Sequence, residues 1–362
     1  MDIVLLLKEA RDRKASDLHL IALTPPLLRI DGSLQPIENG DALNAEEIAE
    51  ALTQLTSGEQ REDFEQTLEL DFGLTRPDIG YLRCNAARQR NGISLAIRLL
   101  PPYIPTIDEL ELPPITKELA LRPRGLVVVT GPTGSGKTTT LAAMIQYMNE
   151  KESRHIVTIE DPIEYVHPTS KGAITQRQLG DDTLSFPNAL RHVLRQDPDV
   201  ILVGEMRDFD TAAAVLAIAE TGHLILTTGH APSAPQAVER IIDLFPYNER
   251  HLAQARLASL LNGVLCQTLV PRASGAGRIA AVEVMLANSA VRSLIRDGKI
   301  FQLPNVITTH REIGMISLDE TLVNLHTRGV ITFETMMSFC NNRNEVEEII
   351  KHTTSGNIRS NR

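Results

Sequence analysis

Short helical and strand-like apolar patterns alternate over the first hundred or so residues of the chain. Residues 3–12 carry helical spacing, whereas LHLIA and LLRIDG read as strands, the second closing on an Asp-Gly turn signal. Residues 44–66 have helical periodicity with acidic surface positions. YLRCNAARQRNGISLAIRLL, residues 81–100, predicts two strands joined by an Asn-Gly turn. Together these runs predict an α+β module over residues 1–100.

PPYIPTIDELELPP, residues 101–114, is rich in proline and poor in either period, and it reads as a linker. Beyond it, apolar strands alternate with helices: LVVVT, a helix from Lys137, HIVTIED, a helix near Asn188, DVILVGE, a helix through TAAAVLAIAE, and HLILTTGH. Continuous apolar strands separated by helices predict an α/β domain over residues 115–362, with a parallel sheet covered on both faces. Residues 233–270 read as long helices, and the remainder reads as mainly helical apart from RIAAVEVML.

The strands deliver chemistry at their C-terminal ends, where open α/β sheets bind ligands. GPTGSGKT, residues 131–138, fits G-x-x-x-x-G-K-[ST] between an apolar strand and a helix, which is the context a phosphate cradle requires. Its glycines let the backbone close round a β-phosphate, and the helix N-terminus favours negative charge. Lys137 would reach the β- and γ-phosphates, and the Thr138 hydroxyl would ligate magnesium. The cofactor-binding set is Gly131, Pro132, Thr133, Gly134, Ser135, Gly136, Lys137, Thr138 and the adjoining Thr139, together with Asp161 and His223.

HIVTIEDP brings Glu160 and Asp161 to the same edge. PDVILVGEMRD ends its apolar run on Gly204 and Glu205, where a nucleotide hydrolase usually has an aspartate. Glutamate is one methylene longer, so from one position later it covers the same place, and Gly204 leaves room for close backbone approach. ETGHLILTTGHA carries His223 and His230 at the two ends of an apolar strand, seven residues apart and so on opposite faces. They do not form an obvious metal pair. His230, at the C-terminal end, is the better γ-phosphate sensor.

Composition narrows the classes. With 42% hydrophobic and 23% charged residues the chain is an ordinary globular protein, and its net charge of −10 argues against nucleic acid as a partner. Cys84, Cys266 and Cys340 are isolated, which supports neither a zinc knuckle nor a disulfide framework. MDIVLLLKEARDRK is too short an apolar run for a signal peptide or a membrane span, so the expectation is a cytoplasmic protein without direct membrane insertion.

GPTGSGKTTTLAAM, HIVTIEDPIEY, RQDPDVILVGEMRD and AETGHLILTTGHA, in this order, resemble the secretion-type (type II/IV) ATPases, and most closely the pilus retraction motors of the PilT type. KASDLHLIALTPPLLRIDG and GRIAAVEVMLANSAVRSLIRDGK are similar to that branch too, so the resemblance covers nearly the whole chain and fades beyond about residue 332. It implies a PAS-like amino-terminal domain, a RecA-like P-loop ATPase domain with a helical C-terminal part, and a homohexameric ring with nucleotide between the two domains. Implied with it are ATP and Mg2+ as cofactors, and an inner-membrane pilus platform protein as the partner that holds the ring at the membrane. On matching positions Glu160 lies in the aspartate-rich box, Glu205 in the atypical Walker B motif, and His223 and His230 in the histidine box. We assign Glu160 as the water-activating base and Glu205 to the magnesium shell, the swapped assignment being the alternative. Arg83 and Arg98, with Arg90 as a third, match arginines that stabilise γ-phosphate charge. AVRSLIRDGK, residues 290–299, matches a motif tied to retraction rather than to hydrolysis.

One departure stands out. TTGHAP places Gly229 before His230 and Ala231 and Pro232 after it, where relatives usually have a bulky apolar residue before and threonine after. Glycine loosens the backbone beside the histidine. The competing functions are a motor working in the assembly or type II secretion direction, a weakly active retraction accessory, a regulatory nucleotide binder and a DNA translocase. The absence of a four-cysteine zinc insertion favours retraction, and the acidic balance disfavours DNA.

Overall fold

The structure, a computed structural model, describes residues 2–30, 32–37, 40–100 and 103–350. Asp31 of the expected Asp-Gly turn, Pro101 and Pro102 at the start of the expected linker, and residues 351–362 lie outside the described residues. The chain divides into two compact units, Met1–Tyr103 with Glu164–Val166, and Ile104–Ile163 with His167–Arg362.

In the first unit α1 (Ile3–Asp12) leads into β1 (Asp17–Leu20), β2 (Leu27–Ile30) and β3 (Ser33–Pro36). Two helices follow, α2 (Ala45–Leu55) and α3 (Gly58–Thr67), then β4 (Glu69–Arg76), β5 (Gly80–Gln89) and β6 (Gly92–Leu99). The helical stretch expected over 44–66 is thus two helices, because Ser57 stops one and caps the next with a capping box to Gln60. The strands form an antiparallel sheet in the order β3-β2-β1-β6-β5-β4. One face buries Leu18, Leu28, Leu82, Cys84, Leu95 and Ile97 beneath Ile3, Leu7, Ile48 and Leu52 of the helices. The alternate positions form the other face, where β5–β6 pairing sets Arg83 against Arg98 and β6–β1 pairing sets Arg98 against Asp17.

The second unit starts inside the proline-rich segment. Ile107 and Leu112 bury in its core, so residues 104–114 pack with this unit. Then come α4 (Ile115–Ala120), β7 (Gly125–Thr130), α5 (Lys137–Lys151), β8 (His155–Glu160), β9 (Ala173–Gln178), α6 (Phe186–Val193) and β10 (Val200–Val203). They continue with α7 (Phe209–Glu220), β11 (Leu224–Thr228), α8 (Ala234–Asp243), α9 (Arg250–Leu260), β12 (Leu261–Pro271) and β13 (Arg278–Leu286). The carboxy-terminal part is helical: α10 (Ser289–Arg296), α11 (Leu303–Thr309), α12 (Leu318–Thr327) and α13 (Phe333–Phe339). The sheet order is β13-β12-β7-β11-β10-β8-β9, parallel except for the β12–β13 pair. Every residue of β7, β10 and β11 is buried, as strands covered on both faces require.

One expected element is corrected. Residues 261–271 form a strand and not a continuation of a helix. With both faces largely covered, this mostly apolar run shows no alternation, and such a stretch following a helix looks like more helix.

Candidate active site

The phosphate loop forms where β7 stops. Thr130 is the last strand residue and Lys137 the first helical one, so residues 131–136 make the whole turn. Gly131, Gly134 and Gly136 take φ values of 142°, 75° and 87°. A Cβ on Gly131 would come within 2.2 Å of the Gln267 carbonyl oxygen. The close approach of β12 therefore requires glycine there. Pro132, Thr133 and Gly134 are exposed, Ser135 is buried, and Gly136, Thr138 and Thr139 are half-buried. Lys137 is buried, and its Nζ donates to the carbonyls of Gly131 and Pro132, each at 3.0 Å. The ammonium thus sits inside the curl of the loop, at the place a phosphate chain would pass.

β12 also supplies a support that the sequence did not reveal. The Gln267 amide donates to the Ser135 carbonyl at 2.7 Å. A polar residue in the middle of the apolar run VLCQTLV was the available signal, hidden once the run had been taken for helix.

The pairings β7–β11, β11–β10 and β10–β8 are all parallel, so these strands end at one edge. Glu160 ends β8 with only 6% of its surface exposed. Its Oε1 accepts from the Thr158 hydroxyl at 2.6 Å and the Gln176 amide at 3.3 Å. Asp161 follows, exposed to solvent. Next to β8, the Gly204 N–H donates to the Ile159 carbonyl at 2.8 Å. A Cβ on Gly204 would stand 3.2 Å from that oxygen and 3.5 Å from Glu160 Cα. The glycine thus lets the two acid-bearing backbones lie close together. Glu205 then places its carboxylate between Arg207 Nη2 at 2.6 Å and His230 Nε2 at 3.3 Å. His230 follows β11, and the Thr228 hydroxyl donates to the Gly204 carbonyl at 2.5 Å, tying the two strand ends together.

His223 does not join them. Its carbonyl accepts from the N–H of Gly125, the first residue of β7, and its Nδ1 lies 2.8 Å from the Thr221 hydroxyl. It therefore stands at the opposite edge of the sheet, with the length of β7, about 20 Å, separating it from the phosphate loop. Within its own chain, then, the structure does not bring His223 to the phosphate loop.

In the first unit, Asp17 carries an ion pair to Arg98 at 2.8 Å and another to Arg29 at 3.7 Å. Burial pushes the Asp17 carboxyl up, but hydrogen bonds from Ser16 and Arg98 outweigh it and hold the group below its ordinary range. Arg83 and Arg98 line a cavity of about 180 Å³ together with Asp17 and Asp71. Arg90 is exposed in the β5–β6 connection.

A metal ion has a specific kind of place here. Among the described residues no group of three or more His, Cys, Asp or Glu side chains could hold an ion by itself. Thr138, at the start of α5, and Glu205, just after β10, carry the hydroxyl and carboxylate oxygens that magnesium prefers.

A glycine loop opening a helix, with acids arriving on neighbouring strands of the same buried parallel sheet, defines the class: a P-loop nucleotide-binding protein of α/β build. The family is narrower. The profile described as "Type II/IV secretion system protein" matches residues 2–355, and the chain belongs to that family. It is 43% identical over 334 residues to the "Type IV pilus retractation ATPase PilT" of Pseudomonas aeruginosa, covering 92% of this chain and 96% of that protein. It is 40% identical over 351 residues to the "Type IV pilus ATPase PilU" of the same organism, covering 97% and 92% respectively. A crystal structure described as the pilus retraction motor PilT with bound ADP superposes with a TM-score of 0.89 at 40% identity, covering 96% of this chain and 99% of that one.

Proposed function

We propose that this chain is a motor ATPase that couples ATP hydrolysis to retraction of a type IV pilus. One observation carries the reading: the phosphate loop, Glu160, Glu205 and His230 share a single sheet edge in a chain this similar to a retraction ATPase. In this reading the backbone N–H groups of residues 133–139 take the phosphates, and Lys137 exchanges the Gly131 and Pro132 carbonyls for phosphate oxygens. Thr138 and Glu205 would hold magnesium, whose chemistry there would be to neutralise phosphate charge. Glu160 is the base that takes a proton from the attacking water. Thr158 and Gln176 can stay hydrogen-bonded to it as it takes up the proton. Asp161 beside it would orient the metal's water shell, and Arg83 and Arg98 would stabilise γ-phosphate charge in an assembled homohexamer. Such a ring would act at the cytoplasmic face of the inner membrane through a pilus platform protein. No described helix is long and apolar enough to cross a membrane.

Steady-state ATP hydrolysis with magnesium tests the chemistry. Glu160→Gln and Glu205→Gln should each lower kcat by at least about a hundredfold while ADP still binds. A Glu205→Gln protein that loses magnesium dependence as well as rate supports the assignment given; the same signature in Glu160→Gln would reverse it. Restored twitching in a host lacking its own retraction motor tests direction, and more surface pili in place of restored twitching would point to assembly. A weakly active accessory role is the second reading, favoured by the GHAP departure beside His230. Full ADP binding with negligible hydrolysis by the unmodified chain would select it.

A further inference from the structure

The loop that carries His230 is gripped from the side of the phosphate loop. Thr130, the residue just before Gly131, is fully buried, and its hydroxyl bonds twice to a single residue. It donates to the Ala231 carbonyl at 2.9 Å and accepts from the Ala231 N–H at 2.8 Å. A second buried donor, Cys266 Sγ, lies 3.7 Å from the same carbonyl. Burial pushes that thiol up to about 12, so it keeps its proton and its capacity to donate. On the other side of the histidine, the Gly229 N–H donates to the Val129 carbonyl at 3.0 Å. The last two residues of β7 therefore fix the backbone before and after His230, whose Nε2 faces Glu205.

This accounts for a loop that looked loose in sequence. Glycine and alanine flank the histidine, yet the rigidity comes from a side chain on the adjacent strand. That side chain is covalently next to the glycine that must move if the phosphate loop adjusts to its ligand.

We propose that Thr130 is a positioning residue that couples the phosphate loop to His230, holding the imidazole at the site edge through Ala231 and passing displacement of Gly131 into the histidine loop. The proposal rests on the reading of the chain as an ATPase. A threonine serving the core alone would show no dependence on His230, and this difference is measurable.

Thr130→Val preserves size and branching and removes both hydrogen bonds. With the full-length chain, kcat and KM for ATP and Kd for ADP are measured for the unmodified protein, Thr130→Val, Thr130→Ser, His230→Ala and the Thr130→Val/His230→Ala double variant. The expected result is a kcat lowered roughly tenfold in Thr130→Val with KM and Kd little changed. Serine should restore it, and valine should cause no further loss once His230 is alanine. Should Thr130→Val fail to fold, Thr130→Cys takes its place in the cycle with the same two readings. Losses that multiply in the double variant, an unchanged kcat in Thr130→Val, or no recovery with serine would each overturn the coupling alone. An unmodified chain that binds ADP but does not hydrolyse ATP would overturn the ATPase reading, and the coupling with it.

Discussion

Gln267 shows how a single polar side chain in a buried strand can serve a loop several strands of sequence away. Its amide nitrogen holds the Ser135 carbonyl, while its Oε1 is buried and accepts from no donor among the described residues. The two ends have opposite energetic signs. A neutral hydrogen bond contributes about 0.5–1.5 kcal/mol, whereas an unsatisfied buried acceptor costs about 1–3 kcal/mol. Gln267→Leu, similar in size, removes both but leaves the buried Ser135 carbonyl without its donor, a cost of the same about 1–3 kcal/mol. Thermal stability should therefore change little, while ADP affinity falls several-fold because the loop loses its rear support. Thermal unfolding and calorimetric ADP titration on the same preparation check the pair, and an unchanged ADP affinity would show that the loop stands without Gln267. The same reasoning explains why the residues delivered by strands were legible in the sequence and their supports were not. Lys137, Glu160 and Glu205 follow a motif or an apolar run directly. Gln176, Gln267 and Thr130 acquire their roles from which strand lies beside which, and no local pattern records that.

Among the elements, the continuous apolar runs of β7, β8, β10 and β11 were readable because burial on both faces leaves no polar position to interrupt them. β12 is mostly apolar too and was misread as helix, because the Asn262-Gly263 stop signal just after α9 was passed over. β9 is an edge strand, AITQRQ, with no fully buried residue, and it gave no signal at all. The segment joining β8 to β9 is nonetheless well anchored. Asn149 of α5 donates to the Pro168 carbonyl at 2.9 Å and accepts from the Gly172 N–H at 3.1 Å, and the His167 N–H donates to Gln176 Oε1 at 2.9 Å. Gln176 in turn reaches Glu160. Burial lowers the His167 imidazole from 6.5 to about 4, so the folded chain binds fewer protons than the unfolded chain between those values. The stabilisation is complete above pH 6.5 and is lost as pH falls towards 4, amounting to at most about 3 kcal/mol. His167→Gln, which cannot take up the proton, should flatten the stability profile over this window. Urea unfolding at pH 7 and pH 4.5 measures the difference, and a decline parallel to that of the unmodified chain would assign the acid sensitivity to other groups.

At the scale of the whole molecule, the separation of the chemistry between two folded units sets the strongest test of the motor reading. The phosphate loop and both glutamates belong to the second unit, whereas Arg83 and Arg98 belong to the first. Arg98 is 58% exposed even while paired with Asp17, so it can exchange that partner for a phosphate at little cost in desolvation. If the arginines serve their own chain's nucleotide, every chain must carry both parts intact. If they serve a neighbour's nucleotide in a ring, the parts can come from different chains. Lys137→Ala and Arg98→Ala should each abolish most hydrolysis on its own. In the ring reading, mixing the two inactive proteins under conditions that exchange subunits should return activity at about a quarter of the sites, where an intact loop meets an intact arginine across a heterologous interface. Steady-state hydrolysis of the mixture against the two separate proteins is the measurement. Recovery would make the assembled ring, rather than the single chain, the catalytic unit, and it would explain why an arginine pointing away from its own unit's core is kept preorganised by a buried aspartate. No recovery despite proven subunit exchange would return the arginines to their own chain.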